Sequence, residues 1–193
     1  ACTPLAKGLT SEYCNQNAYD CIQIHGGSGF MKDYACERVY RDARITSIYE
    51  GTTQLQVVAA IRHVFTGTYM QLIDQYAAME VSEELAAQKE ILVAMTAQYK
   101  AAVEKVHTIN DAAYSDFMAR RLVEMAGNIV MGYLLVTDAS RNAASDDKEI
   151  AAAAADLARS AKVYINLGRA EVARNAEFVA NVQPEDMAAY TYA

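Results

Sequence analysis

Apolar residues recur along most of this chain at intervals of three and four, the spacing that places them on one face of a helix. Residues 5 to 24 carry Leu9, Tyr13, Cys14, Ala18, Cys21 and Ile22 in this pattern and run into His25-Gly26-Gly27-Ser28-Gly29, where a helix stops and the chain turns. Asp33 is placed to cap a short helix holding two opposite-charge pairs, Glu37/Arg41 and Arg38/Asp42. Thr52 to Phe65 reads as a further helix, with Leu55, Val58, Ala59 and Arg62 on one face and Gly67 as its end.

Three long alanine-rich segments follow. The first, about residues 82 to 108, places Leu92, Met95, Tyr99, Ala102, Val106 and Ile109 in an alternating four and three spacing. The second, about 111 to 140, continues with Met118, Leu122, Met125, Ile129, Gly132 and Val136. The third starts near Ser145-Asp146 as a cap and runs to about Val182 through Ile150, Ala154, Leu157, Ala161, Tyr164 and Gly168. Small residues at Gly132, Ala154, Ala161 and Gly168 let helix axes approach closely. The expected fold is all-α, with residues 1–79 as one domain and 80–193 as an antiparallel helical bundle. A seam this short fits a globular bundle core better than an extended coiled coil.

Composition sharpens this picture. The 193 residues include only two prolines and nine glycines, while alanine is about a fifth of the chain, which excludes a turn-rich β-sandwich and a Pro/Gly-rich disordered segment. The longest unbroken apolar run is Ile150 to Ala155, far short of the roughly 20 residues of a membrane span, and the first 25 residues lack a signal-peptide core. A cytoplasmic protein is expected. Up to Arg62 six basic residues balance six acidic ones, so the net charge of −7 lies wholly beyond residue 65. Phosphate backbones and anionic lipid repel such a segment, so neither nucleic acid nor membrane is an expected partner.

Cys2, Cys14, Cys21 and Cys36 contain no Cys-x-x-Cys pair, and they are expected as reduced, small core residues. No histidine among His25, His63 and His107 is followed by a His or Cys three or four residues on, so no metal site is expected.

The chemistry lies in three stretches: Gln23-Ile24-His25-Gly26-Gly27-Ser28-Gly29-Phe30, Glu37-Arg38-Val39-Tyr40-Arg41-Asp42-Ala43-Arg44-Ile45, and Ile48-Tyr49-Glu50-Gly51-Thr52-Thr53-Gln54-Leu55-Gln56. Taken alone, the glycine cluster is a helix stop whose backbone could also approach a phosphate. Glu50 alone is a carboxylate favoured by the dipole of the helix that follows. Arg38, Arg41 and Arg44 read as a solvated, mutually neutralised face. In one order and spacing, over about residues 5 to 66, the stretches resemble the C-terminal signature region of the acyl-CoA dehydrogenase flavoproteins. The rest is similar to the helical extension that some members carry after their last core helix.

The resemblance implies an oxidoreductase that uses FAD to introduce a trans α,β double bond into an acyl-CoA thioester. It assigns Glu50 as the base that removes the α-proton, with the β-hydride going to flavin N5 from the opposite face. It places Gln23, Gly26 and Gly27 at the adenine and pyrophosphate end of an FAD held mostly by a neighbouring subunit. Thr52 and Gln54 match positions that hydrogen-bond FAD, and the backbone of Gly51 matches one beside the substrate. His25 is at most a shaping group near the flavin. A homo-oligomer and an electron-transfer flavoprotein partner are implied as well.

In the resembled family an N-terminal helical domain and a middle β-domain cradle the flavin, and neither fits before Gln23. The chain is therefore expected as the C-terminal part of a longer enzyme, inactive alone and without bound FAD. Its acidic extension is expected to cover a neighbouring subunit or the catalytic bundle. Two further readings stand beside this one: an acyl-CoA oxidase, in which oxygen takes the electrons, and a non-catalytic helical interaction module that keeps the motif as structure.

Overall fold

The apolar spacings close into helices, and Gly26, Gly51 and Gly67, all at positive φ, stand in the breaks between them. The computed structural model describes residues 1–190, is 85% helical and contains no strand among these residues. It forms two compact units that divide between Ala60 and Ile61.

In the first unit, α1 (Cys2–His25) ends at Gly26, whose φ of 59° lies in the left-handed region that a residue without a Cβ adopts freely. A single helical turn, α2 (Gly27–Phe30), follows where a plain turn was expected, and then α3 (Cys36–Ile45) packs back along α1. Asp33 does not cap α3. The cap position is Ala35 and makes no side-chain bond, because Asp33 lies two residues too early to reach the first turn. The buried positions of α1 are Leu5, Gly8, Ser11 and Ala18, whereas Tyr13 and Cys14 are exposed. Small residues thus take the inner face: a Cβ on Gly8 would stand 3.5 Å from Gln56 Cβ of α4 (Thr53–Phe65).

Thr52 caps α4, its hydroxyl accepting from the Leu55 N–H at 3.3 Å. The buried residues of this helix are Val57, Ala60 and Val64, so the stripe expected from spacing turns outward, with Leu55 58% and Val58 56% exposed.

The second unit contains a helix that the spacing did not indicate, α5 (Thr68–Ala77), anchored by fully buried Tyr69 and Ile73 and packed on α7 (Ala112–Ala143). This packing places 68–77 with the bundle, ahead of the expected boundary at 79/80. A 3-10 turn, Glu83–Leu85, leads into α6 (Ala86–Ile109), and α8 (Lys148–Asn181) completes the bundle before a second 3-10 segment, Pro184–Tyr190. Asn110, at φ 51°, links α6 to α7, which Asp111 caps by accepting from the Tyr114 N–H at 2.7 Å. The cap of α8 is Asp147, not Ser145 or Asp146; its carboxylate accepts from Glu149 at 2.8 Å and Ile150 at 3.3 Å.

The expected seams of α6 and α7 are buried except Ile109, which is half-buried. On α8 the buried line runs through Ala154, Ala158, Ala161, Ile165, Gly168, Val172, Asn175 and Val179, one position on from the expected Leu157 and Tyr164, with Ile150 exposed. By length and composition α7 could cross a membrane, yet 72% of its most apolar window is buried inside the protein, which is the state of a core helix. A polar strand runs through this core: Tyr164 donates to Asn128 at 3.2 Å, Asn128 to the Glu124 carbonyl at 2.9 Å, and Asn175 to the Glu124 carboxylate at 3.3 Å.

Candidate functional site

The sequence-predicted site residues fall into two groups, both in the first unit. The loop from α3 to α4 carries the first. Glu50 has φ 53° and Gly51 φ 94°, so two successive residues turn through the left-handed region. A non-glycine residue adopts this conformation at a cost of about 1 to 2 kcal/mol, so the surroundings must hold it there. The Gln56 side-chain amide does so, donating to the carbonyls of Glu50 at 3.4 Å and Gly51 at 3.3 Å. A Cβ on Gly51 would stand 2.6 Å from that same nitrogen, so glycine is favoured by φ and any side chain there would also displace the Gln56 amide from the loop carbonyls. Behind the loop, the Thr53 N–H donates to the Ser47 carbonyl at 3.2 Å and its hydroxyl to Glu12 at 2.7 Å. Lys7 donates to the Thr46 carbonyl and lies 5.5 Å from the centre of the Tyr49 ring.

These bonds tie the loop to the first half of α1 and leave the Glu50 side chain exposed, with neither its carboxylate nor its N–H bonded to a described residue. Thr52 is engaged as the α4 cap, and Gln54 is exposed.

Gln23, Gly26 and Gly27 form the second group at the far end of α1. The Gly26 N–H donates to the Gln23 carbonyl at 3.2 Å, and added Cβ atoms on Gly26 or Gly27 would meet nothing within 4 Å. The turn therefore presents its backbone to open space. Lys7 contacts the Glu50 loop, and the 16 residues from Lys7 to Gln23 correspond to about 24 Å of helix at 1.5 Å each. Within one chain the two groups cannot contact the same small group of atoms.

The arginines of α3 stay on its exposed face, where Arg44 donates to Ser47. His63 stands against Tyr69 with ring centres 5.6 Å apart, and burial, aided by the charge of Arg62, holds its pKa below the usual histidine value.

Of the four cysteines only Cys36 is buried; Cys2 and Cys14 are exposed and Cys21 is half-buried, which corrects their reading as core residues. Cys21 Sγ lies 3.5 Å from Cys36 Sγ and 3.9 Å from His25 Nδ1. The bond shared with Cys21, then burial, raises the Cys36 thiol above its ordinary pKa. This grouping brings together three potential metal ligands that the cysteine and histidine spacing did not join. The signal was present in part, because Cys21 precedes His25 by four residues, one helical turn; Cys36 joins them only through the packing of α3 on α1.

Residues 65–187 match the family described as Acyl-CoA dehydrogenase C terminal, and residues 1–65 match Acyl-CoA dehydrogenase, C-terminal domain. The chain belongs to the acyl-CoA dehydrogenase family. A crystal structure of an acyl-CoA dehydrogenase family protein from Porphyromonas gingivalis is 38% identical, with a TM-score of 0.55, over 65% of this chain and 99% of that one. The caffeyl-CoA reductase-Etf complex subunit CarC of Acetobacterium woodii is 52% identical over 52 residues, 27% of this chain and 14% of that protein. The fold also matches an acyl-CoA dehydrogenase complexed with FAD from Bacillus anthracis, at 23% identity and a TM-score of 0.75 over 95% of this chain and 33% of that one. The chain spans less than a fifth of the length of the curated relatives it matches, 14% of the Acetobacterium woodii protein and 17% of an acyl-CoA dehydrogenase from Bacillus subtilis.

Proposed function

We propose that this chain is the C-terminal part of an FAD-dependent acyl-CoA dehydrogenase in which Glu50 moves the proton at the α-carbon of an acyl-CoA thioester. The observation that carries the reading is Glu50 itself, an exposed carboxylate held in the left-handed region where glycine would fit without strain. Backbone strain of this kind collects where a side chain must be presented.

A thioester α C–H is a weak acid, so negative charge grows on the carbonyl oxygen as the proton leaves and needs donors already in place. The Glu50 N–H, unbonded to any described residue, can supply one beside its own carboxylate. The backbone of Gly51, next in the chain, would lie beside the substrate.

The residues present fit an FAD at two edges. Gly26 and Gly27 open on clear space, which suits a pyrophosphate, and the N–H groups of Gly27 and Ser28 have no bonded partner among the described residues. Thr52 and Gln54 offer hydroxyl and amide groups beside Glu50. When bound, FAD supplies the acceptor for the β-hydride. The resemblance assigns the glycine turn to an FAD held mostly by a neighbouring subunit, so in this reading the two edges serve different FAD molecules.

The likeness to a reductase that works in an Etf complex supports an electron-transfer flavoprotein as partner. It also supports the reverse reaction, in which the same carboxylate returns the proton to the α-carbon. The test is Glu50→Gln in the full-length holoenzyme: flavin absorbance is retained and acyl-CoA turnover falls about 10²- to 10⁴-fold, the range for a general base. Turnover within a few-fold of the parent would remove Glu50 from the chemistry, and a full-length protein that binds no flavin would favour a helical interaction module.

A further inference from the structure

Three soft donors from two helices converge where α1 ends. Cys21 and His25 lie one turn apart on the same face of α1, and Cys36 stands on the first turn of α3. One ligand atom from each, two thiol sulfurs and an imidazole nitrogen, lies within 4.8 Å of the others. A tetrahedral cation with bonds of about 2.3 Å to sulfur and about 2.0 Å to nitrogen holds its ligands roughly 3.4 to 3.8 Å apart. The Cys21 Sγ to Cys36 Sγ distance of 3.5 Å and the Cys21 Sγ to His25 Nδ1 distance of 3.9 Å are already close to those edges. We propose that Cys21, His25 and Cys36 bind one thiophilic divalent cation of the zinc class, which clasps the end of α1 to the start of α3.

The donor set selects the ion. Two thiolates and an imidazole with no carboxylate favour zinc-like cations over magnesium or calcium, which take oxygen ligands. Burial is graded across the site: Cys36 is buried, Cys21 half-buried and His25 exposed, so the fourth position opens to solvent and takes water. Binding exchanges two thiol protons for the cation and changes no oxidation state. Coordination through Nδ1 also gives up its 2.8 Å bond to the Cys21 carbonyl. The site therefore binds less tightly than one with four protein ligands and weakens as the pH falls.

The clasp acts on the glycine turn. A Cβ on Gly29 would stand 2.6 Å from the Ile22 carbonyl and 2.9 Å from His25 Cβ, so the turn folds directly against the proposed ligand. Fixing His25 should stiffen residues 26 to 29. A disulfide between Cys21 and Cys36 would need the same two sulfurs but leaves the neighbouring imidazole without a role.

The experiment is an anaerobic titration of the reduced, chelator-treated chain with Co²⁺, read by the thiolate-to-cobalt charge-transfer band and the visible bands of tetrahedral Co²⁺. One equivalent is expected to saturate both, Zn²⁺ to displace it, and bound Zn²⁺ to raise the melting temperature. Cys36→Ser and His25→Gln should each weaken binding at least about tenfold, while Cys14→Ser, on an exposed cysteine elsewhere on α1, leaves it unchanged. Because His25 is exposed, His25→Gln keeps the fold if Cys36→Ser does not, with circular dichroism as the check. Absence of the bands, bands that persist in His25→Gln or a folded Cys36→Ser, or a Cys21–Cys36 disulfide forming under mild peroxide in a chain that takes up no metal would overturn the proposal.

Discussion

In the role proposed for Glu50, a single backbone angle separates stability from function. Its φ of 53° costs a residue with a Cβ free energy that glycine avoids, and its carboxylate gains no described contact in return. Glu50→Gly should therefore raise the stability of the folded chain by up to about 1 kcal/mol in denaturant melts while removing acyl-CoA chemistry from the full-length enzyme. A loss of stability would mean that the carboxylate supports the loop. His63 gives a second test at this scale. Burial lowers its folded pKa, so between that value and the ordinary 6.5 the unfolded chain binds the proton more readily. Its contribution to stability is complete above pH 6.5 and is lost as the pH falls from there through the folded pKa. His63→Gln should flatten the melting temperature across this window; an unchanged pH slope would show that other groups set it.

At the scale of elements, legibility followed side-chain size. The seams of α6 and α7 were readable because Leu92, Met95, Leu122, Met125 and Ile129 are both large and fully buried, so apolar spacing and burial coincide. On α8 so many positions are alanine that neighbouring phases look alike, and Leu157 and Tyr164 attracted the reading while Ala158 and Ile165 took the core. In α1 the inner face is Leu5, Gly8, Ser11 and Ala18, with almost no difference in hydrophobicity between faces, so packing against α3, and the close approach of Gly8 to Gln56 of α4, decide what sequence pattern cannot. The candidate base and glycine turn were legible as motifs, but the Cys21, His25 and Cys36 grouping needed a contact between residues 15 apart in the chain. Close approach in the bundle makes a measurable prediction. A Cβ on Gly132 would stand 2.5 Å from Leu92 Cδ2 and 3.3 Å from Ile165 Cγ1, and both side chains are fully buried. Alanine gains about 1 kcal/mol of helix propensity, but overpacking costs about 1 to 3 kcal/mol, so Gly132→Ala should be net destabilising by roughly 1 kcal/mol in urea unfolding. An equal or higher midpoint would show that Leu92 moves aside freely.

For the whole molecule, the distribution of exposed apolar side chains is uneven. Of the nineteen large apolar residues exposed among those described, thirteen precede residue 61, including Ile24 at 83%, Phe30 at 78%, Leu55 at 58% and Val58 at 56%. The acidic bundle beyond has few such residues and carries the net charge, which favours keeping it in water. Clustered exposed apolar side chains mark surfaces that meet another protein surface. The arrangement proposed for the two FAD edges also calls for a second subunit, and identical chains most often pair about a two-fold axis. The chain is therefore expected to self-associate through its first 60 residues. Light scattering at high concentration should give a mass above that of one chain, and Val58→Asp, a charge on the outward face of α4, should shift the population toward monomer without loss of helical circular dichroism. A monodisperse monomer for the parent chain at high concentration would show that these side chains remain in water and that the surface is not used between copies.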